Sequence, residues 1–106
     1  MSDTATKTVL EQLNRDDFVP QLNTRFRCVG EDQPPIELLL TDVSELATRE
    51  RQQVFSIEFQ GPADLLLPQR MYRLDHDVLG SFDLMIVPIR QDANGIYYEA
   101  VFNRLV

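Results

Sequence analysis

A chain of 106 residues with 43% apolar and 25% charged side chains has the size and make-up of one globular domain, with enough core to stand without staples. Its net charge of −7 is spread over both halves and its basic residues are scattered, so nucleic acid is not an expected partner. The single cysteine excludes an internal disulfide and a multi-cysteine metal site, and no apolar run approaches the ~18 residues of a membrane span.

Residues 1–6 are small and polar and are expected to fray. They lack a basic patch followed by an apolar run, so the expectation is a cytoplasmic protein without a secretory signal. Thr8 can cap a short helix whose apolar stripe is Val9, Leu10 and Leu13. Asp16 or Asp17 then offers a second N-cap, with Phe18, Val19 and Leu22 as apolar contacts and Pro20 in the first turn, where its missing N–H does no harm.

From Thr24 the period changes to two. Phe26 and Cys28 face one way and Arg25 and Arg27 the other, as in a half-buried strand. The stretch from Gly30 to Pro35 is a loop, because its two prolines cannot join a central ladder. Ile36 to Val43 is the next strand, with Leu46 as a possible extension, and residues 48–53 read as a charged connector. Phe55, Ile57 and Phe59 alternate with Ser56, Glu58 and Gln60 until Gly61-Pro62 stops the strand.

The loop from Ala63 to Gln69 holds Leu65, Leu66 and Leu67. It is expected either to fold over a core opening or to present these leucines to a partner. Tyr72, Leu74 and His76 share one face of the following strand, and Asp77 to Gly80 is a turn. Phe82 to Ile89 is apolar enough to be a central strand buried on both faces, with Pro88 marking a bulge or an edge. Asp92-Ala93-Asn94-Gly95 closes a hairpin onto a strand from Ile96 to Phe102, leaving residues 103–106 as a tail. These elements predict a single mainly β domain over residues 1–106. About six antiparallel strands would form a small barrel-like meander, with one or two short N-terminal helices capping an end; a two-layer sandwich is the other solution.

Three blocks carry a resemblance: Phe59-Gln60-Gly61-Pro62 with Leu67-Pro68-Gln69; Tyr72-Arg73-Leu74-Asp75-His76 with Gly80; and Met85-Ile86-Val87-Pro88-Ile89 with Tyr98-Glu99-Ala100-Val101-Phe102-Asn103. With them the chain resembles a family of small bacterial domains of unknown function, closely in the second half and loosely in the first. The family brings no activity to transfer. Some members lie near genes for phage-tail-collar-like proteins, so the resemblance implies a structural or assembly setting.

Chemistry-bearing residues are sparse. His76 is the only histidine, and as a general base it would need Asp77 or a distant Glu99 to orient it. A strand-end histidine that hydrogen-bonds its own turn is the simpler reading. His76 with Asp75, Asp77 and Asp83 could make a loose oxygen-rich cation site, but solvated turn carboxylates explain the same residues. Cys28 shares the face of Phe26 and reads as a small core hydrophobe rather than a nucleophile. Glu99, if buried, needs Arg73 or Arg104 as a partner. The four glycines stand apart from one another, so no phosphate loop is present.

The leading expectation is a non-enzymatic module, without a cofactor, that binds a protein partner or itself through Leu65, Leu66 and Leu67 or through a strand edge. A small-ligand barrel with Tyr72, Tyr98 and Phe102 around its opening is the second expectation, and hydrolase-like chemistry at His76 the third.

Overall fold

The computed structural model describes residues 13–30 and 34–105. The period-two segments become seven strands: β1 (Arg25–Val29), β2 (Ile36–Val43), β3 (Ala47–Arg49), β4 (Gln52–Gly61), β5 (Arg70–His76), β6 (Gly80–Asp92) and β7 (Gly95–Leu105). Neighbours run in the order β2-β1-β5-β6-β7-β4, all antiparallel, and β2 pairs back onto β4. Six strands thus close into a barrel, the arrangement that removes sheet edges. The sandwich is excluded.

The six barrel strands turn apolar side chains inward, while the short β3 is exposed throughout. Phe26 and Cys28 of β1, Leu38 and Leu40 of β2, Phe55, Ile57 and Phe59 of β4, and Tyr98, Ala100 and Phe102 of β7 are buried in one core. Each such burial is worth roughly 1.5–3 kcal/mol for the larger side chains. In β6 only Leu84 and Ile86 are buried, while Met85 and Ile89 face solvent, so this strand is not covered on both faces as its composition predicts. Its bulge is real: the register against β7 shifts between Pro88 and Arg90, where proline has no N–H to give the ladder.

The predicted connector over residues 48–53 is largely strand. Ala47, Thr48 and Arg49 pair with Val54, Gln53 and Gln52 on the edge of β4 that β2 occupies further along. β2 and β3 are one strand interrupted at Ser44–Leu46, and the interruption is bridged by Ser44 N–H to the Ser56 carbonyl and Ser56 N–H to Ser44 Oγ, both 2.8 Å. Leu46 lies in that break rather than extending β2. Asn103 and Arg104 are not a tail either; they continue β7 against β4.

The helix predicted from Thr8 falls mostly outside the described residues. The second helix, α1 (Arg15–Phe18), runs into a single 3-10 turn over Val19–Gln21 that holds Pro20. Its N-cap is Asn14, not Asp16 or Asp17, because Asp17 reaches back to accept the Asn14 backbone N–H at 2.7 Å. α1 drives Phe18 into one end of the barrel, where its ring centroid lies 5.3 Å from Phe102 and 6.3 Å from both Phe55 and Phe82. The loop between β4 and β5 closes the other end with Leu67. Both mouths are plugged by side chains, as a barrel this narrow allows.

Candidate functional site

His76 ends β5, and its ring is buried against Phe26, with ring centroids 4.1 Å apart. Its Nδ1 accepts the backbone N–H groups of Val78 and Leu79, both at 3.1 Å. Two donors on one nitrogen require it to be bare, so the ring proton sits on Nε2. Nε2–H donates to Thr24 Oγ1 at 2.9 Å, and the Thr24 hydroxyl donates onward to the Gln21 carbonyl at 2.7 Å. The chain of bonds ends on a main-chain oxygen. A base would have to take a proton from Thr24, and neither nitrogen is free to do so.

The nearby carboxylates are engaged elsewhere. Asp77 is solvated and pairs with Arg27 at 3.3 Å. Asp75 faces outward, accepting from Ser81 Oγ at 2.6 Å and Arg73 Nε at 3.3 Å, and the Ser81 bond leads the causes that hold its carboxyl below the usual range. Among the described residues no three His, Cys, Asp or Glu side chains converge as metal ligands would. His76 is therefore a buried clamp joining the β5–β6 turn to the chain entering β1.

Burial pushes the His76 pKa below its ordinary value, with Arg27 acting in the same direction and Asp77 against it. The unfolded ring binds the proton more readily, so stability is full above the unfolded value near 6.5 and falls as pH drops from there toward the folded pKa. His76→Ala is expected to lose about 2 kcal/mol by stranding two N–H donors. His76→Asn, whose side-chain oxygen can take the place of Nδ1, should recover part of it. Urea unfolding at pH 7.5 and 5.5 checks both claims; a wild type equally stable at the two values, or an Asn variant no better than Ala, would contradict the clamp.

Cys28 lies inside the wall between Leu74 and Ile36, fully buried, and burial pushes its thiol up to about 11. Such a thiol is not a nucleophile at neutral pH. Glu99 faces the outside of the barrel, half-buried, beside Glu58 across the β4–β7 pair, and makes no ion pair with Arg73 or Arg104. Sequence reading missed its neighbour. Arg90 reaches from β6 over the ring of Tyr97 on β7, 4.2 Å from its centroid, and grips Glu58 of β4 with two 3.0 Å bonds. The three residues sit on successive strands, an adjacency that no sequence spacing encodes.

Tyr72, Tyr98 and Phe102 do not surround an opening. All three are buried in the filled core. The Tyr72 hydroxyl donates to the Pro68 carbonyl at 2.8 Å, and the Tyr98 hydroxyl accepts the Leu67 N–H at 2.9 Å.

The three leucines separate into two roles. Leu67 is 1% exposed and belongs to the core, which removes it from the contact surface that the sequence suggested. Leu65 and Leu66 are 40% and 58% exposed. Their loop is tied at both ends, by Gln91 Nε2 to the Ala63 carbonyl at 3.4 Å and by Tyr72 to Pro68. These ties fix the two ends of the loop. On the outer wall of β5 and β6, Met71 and Met85 stand directly opposite each other and are 55% and 43% exposed.

Among the described residues no helix is long and apolar enough to cross a membrane. A family model described as "Domain of unknown function (DUF6916)" matches residues 13–102. No curated protein and no solved structure matches.

Proposed function

The chain belongs to the DUF6916 family, and we propose that it acts as a non-enzymatic protein-interaction module, of the kind a larger assembly such as a phage-tail-like structure is built from. The observation that carries this reading is the pinned loop. Leu65 and Leu66 are exposed while Leu67, the next residue, is locked into the core by its side chain and its N–H. A loop fastened at Ala63, Leu67 and Pro68 cannot easily turn its leucines inward, so they stand ready in one arrangement for an apolar partner surface. The exposed Met71 and Met85 on β5 and β6 add apolar side chains able to adapt to a partner's shape.

The partner is a protein, either a different chain or a second copy of this one. Among the described residues the strands close into a barrel with the short β3 at an edge, which favours side-chain contact over strand addition. The ligand-barrel reading draws no support from Tyr72, Tyr98 and Phe102, whose rings fill the space a ligand would need.

Replacing Leu65 and Leu66 together by serine is expected to abolish association while leaving the melting temperature within a few degrees of wild type, because neither side chain is in the buried core. Native mass spectrometry of the tagged protein purified from its source cell reads the association, and a thermal melt reads the fold. A double variant that associates like wild type would sink the reading.

A further inference from the structure

The end of the barrel plugged by Phe18 carries a concavity unrelated to the leucine loop. A groove of about 260 Å³ lies between α1 and the start of β4, lined by Asn14, Arg15, Asp16, Leu46, Gln53, Phe55 and Arg104. In a chain of net charge −7, its two arginines are placed differently from others on the surface. Arg25, Arg27, Arg73 and Arg90 each face a carboxylate.

Arg15 and Arg104 are tied mainly to neutral oxygens. Arg15 Nε donates to the Ser44 carbonyl at 2.6 Å. Arg104 donates to the side-chain oxygen of Asn14 and, at 2.6 Å, to the Leu13 carbonyl. Among the described residues the only carboxylate near either is Asp16, 3.9 Å from Arg15 and almost wholly in solvent, a contact worth little. A guanidinium has five N–H donors, so both groups keep donors to spare. The neutral ties hold the two cations in place without cancelling their charge. Leu46 and Phe55 supply an apolar wall beside them.

We propose that this groove binds a small carboxylate with a short apolar body, its oxygens on the guanidinium groups of Arg15 and Arg104 and its body against Leu46 and Phe55. Guanidinium matches carboxylate in shape and charge and holds it by paired, charge-assisted bonds. The volume lies below the range typical of drug-sized ligands, which suits a molecule the size of benzoate. The site stands apart from the interaction surface proposed for the loop.

Benzoate titrated into the 15N-labelled protein at low salt tests this, with benzamide as the uncharged match. Two variants place a carboxylate in the groove while leaving both arginines intact. Gln53→Glu acts directly across the strand pair from Arg104, and Leu46→Glu acts at an exposed position outside the strands. The expected result is saturable shifts of the backbone amides of Asn14–Asp16 and Gln53–Phe55 with benzoate and none with benzamide. Binding should be about tenfold weaker in at least one folded variant, from the added like charge. Unsaturable shifts, an equal response to benzamide, or wild-type affinity in both variants would overturn the proposal.

Discussion

Replacing Gly95 by alanine is expected to cost about 3 kcal/mol and lower the melting temperature by roughly 10–20 °C. A Cβ at this position would stand 2.3 Å from the Gly61 carbonyl oxygen and 3.2 Å from the Gln60 side chain. The nearer atom is backbone at the last pair of the β4–β7 ladder, where Gly61 meets Ile96 next to the hairpin. It cannot swing aside without breaking that register. The hairpin above it is also fixed, by Asp92 Oδ1 accepting the Asn94 N–H at 2.8 Å and by Gln60 Nε2 reaching the Asn94 carbonyl at 2.9 Å. Gly95 further holds φ at +155°, a region that side chains rarely enter.

Gly80 separates the two causes. Its φ is +87°, but an added Cβ would meet nothing within 4 Å. Gly80→Ala should therefore show only backbone strain, about 1 kcal/mol. Urea unfolding of the two variants checks the comparison. Equal losses would mean that the close approach of Gly95 to Gly61 does not matter.

Leu67→Ala is the second large effect, with an expected loss of about 3 kcal/mol from the emptied space at the barrel's end. The side chain is buried in the core cluster, and its own N–H is fixed to the Tyr98 hydroxyl. Tyr98→Phe should cost less, about 1–2 kcal/mol, by leaving that N–H without its acceptor. The double variant should lose less than the sum, because both changes loosen the same loop. Denaturant midpoints of the three variants read this coupling, and full additivity would show that the plug and the hydroxyl act independently. The contrast with Leu65 and Leu66 is the sharper outcome: neighbouring leucines, one costly to truncate and two not.

That contrast marks where the sequence stops being legible. Strands such as Phe55-Ser56-Ile57-Glu58-Phe59 announce themselves, since alternation is a local property and burial on one face suffices to produce it. The barrel follows from having several such strands to bury. β3 was illegible because Ala47-Thr48-Arg49 has no apolar alternation; it is a strand only because β4 offers three residues of unpaired edge. Asn14 was outbid as a cap by two aspartates whose roles differ only once the first turn forms. Which of three identical leucines enters the core depends on Tyr98, 31 residues further on. His76 was legible as inward-facing, but its partner Thr24 lies 52 residues away. The groove near α1 joins residues from both ends of the chain, and no local pattern announces it.

The two long-range seams of the barrel are unequal. β4 is laced to β7 along its whole length from Gln52 to Gly61, whereas among the described residues β1 meets β5 from Arg27 to Val29. Local opening free energy follows the extent of pairing and burial. The wall should therefore breathe at the β1–β5 seam first, parting β1 and β2 from β5 and β6 while β4 and β7 act as the hinge. Cys28 sits in that short seam, opposite Leu74. Its thiol, silent while the barrel is shut, is a built-in reporter of how often the seam comes apart.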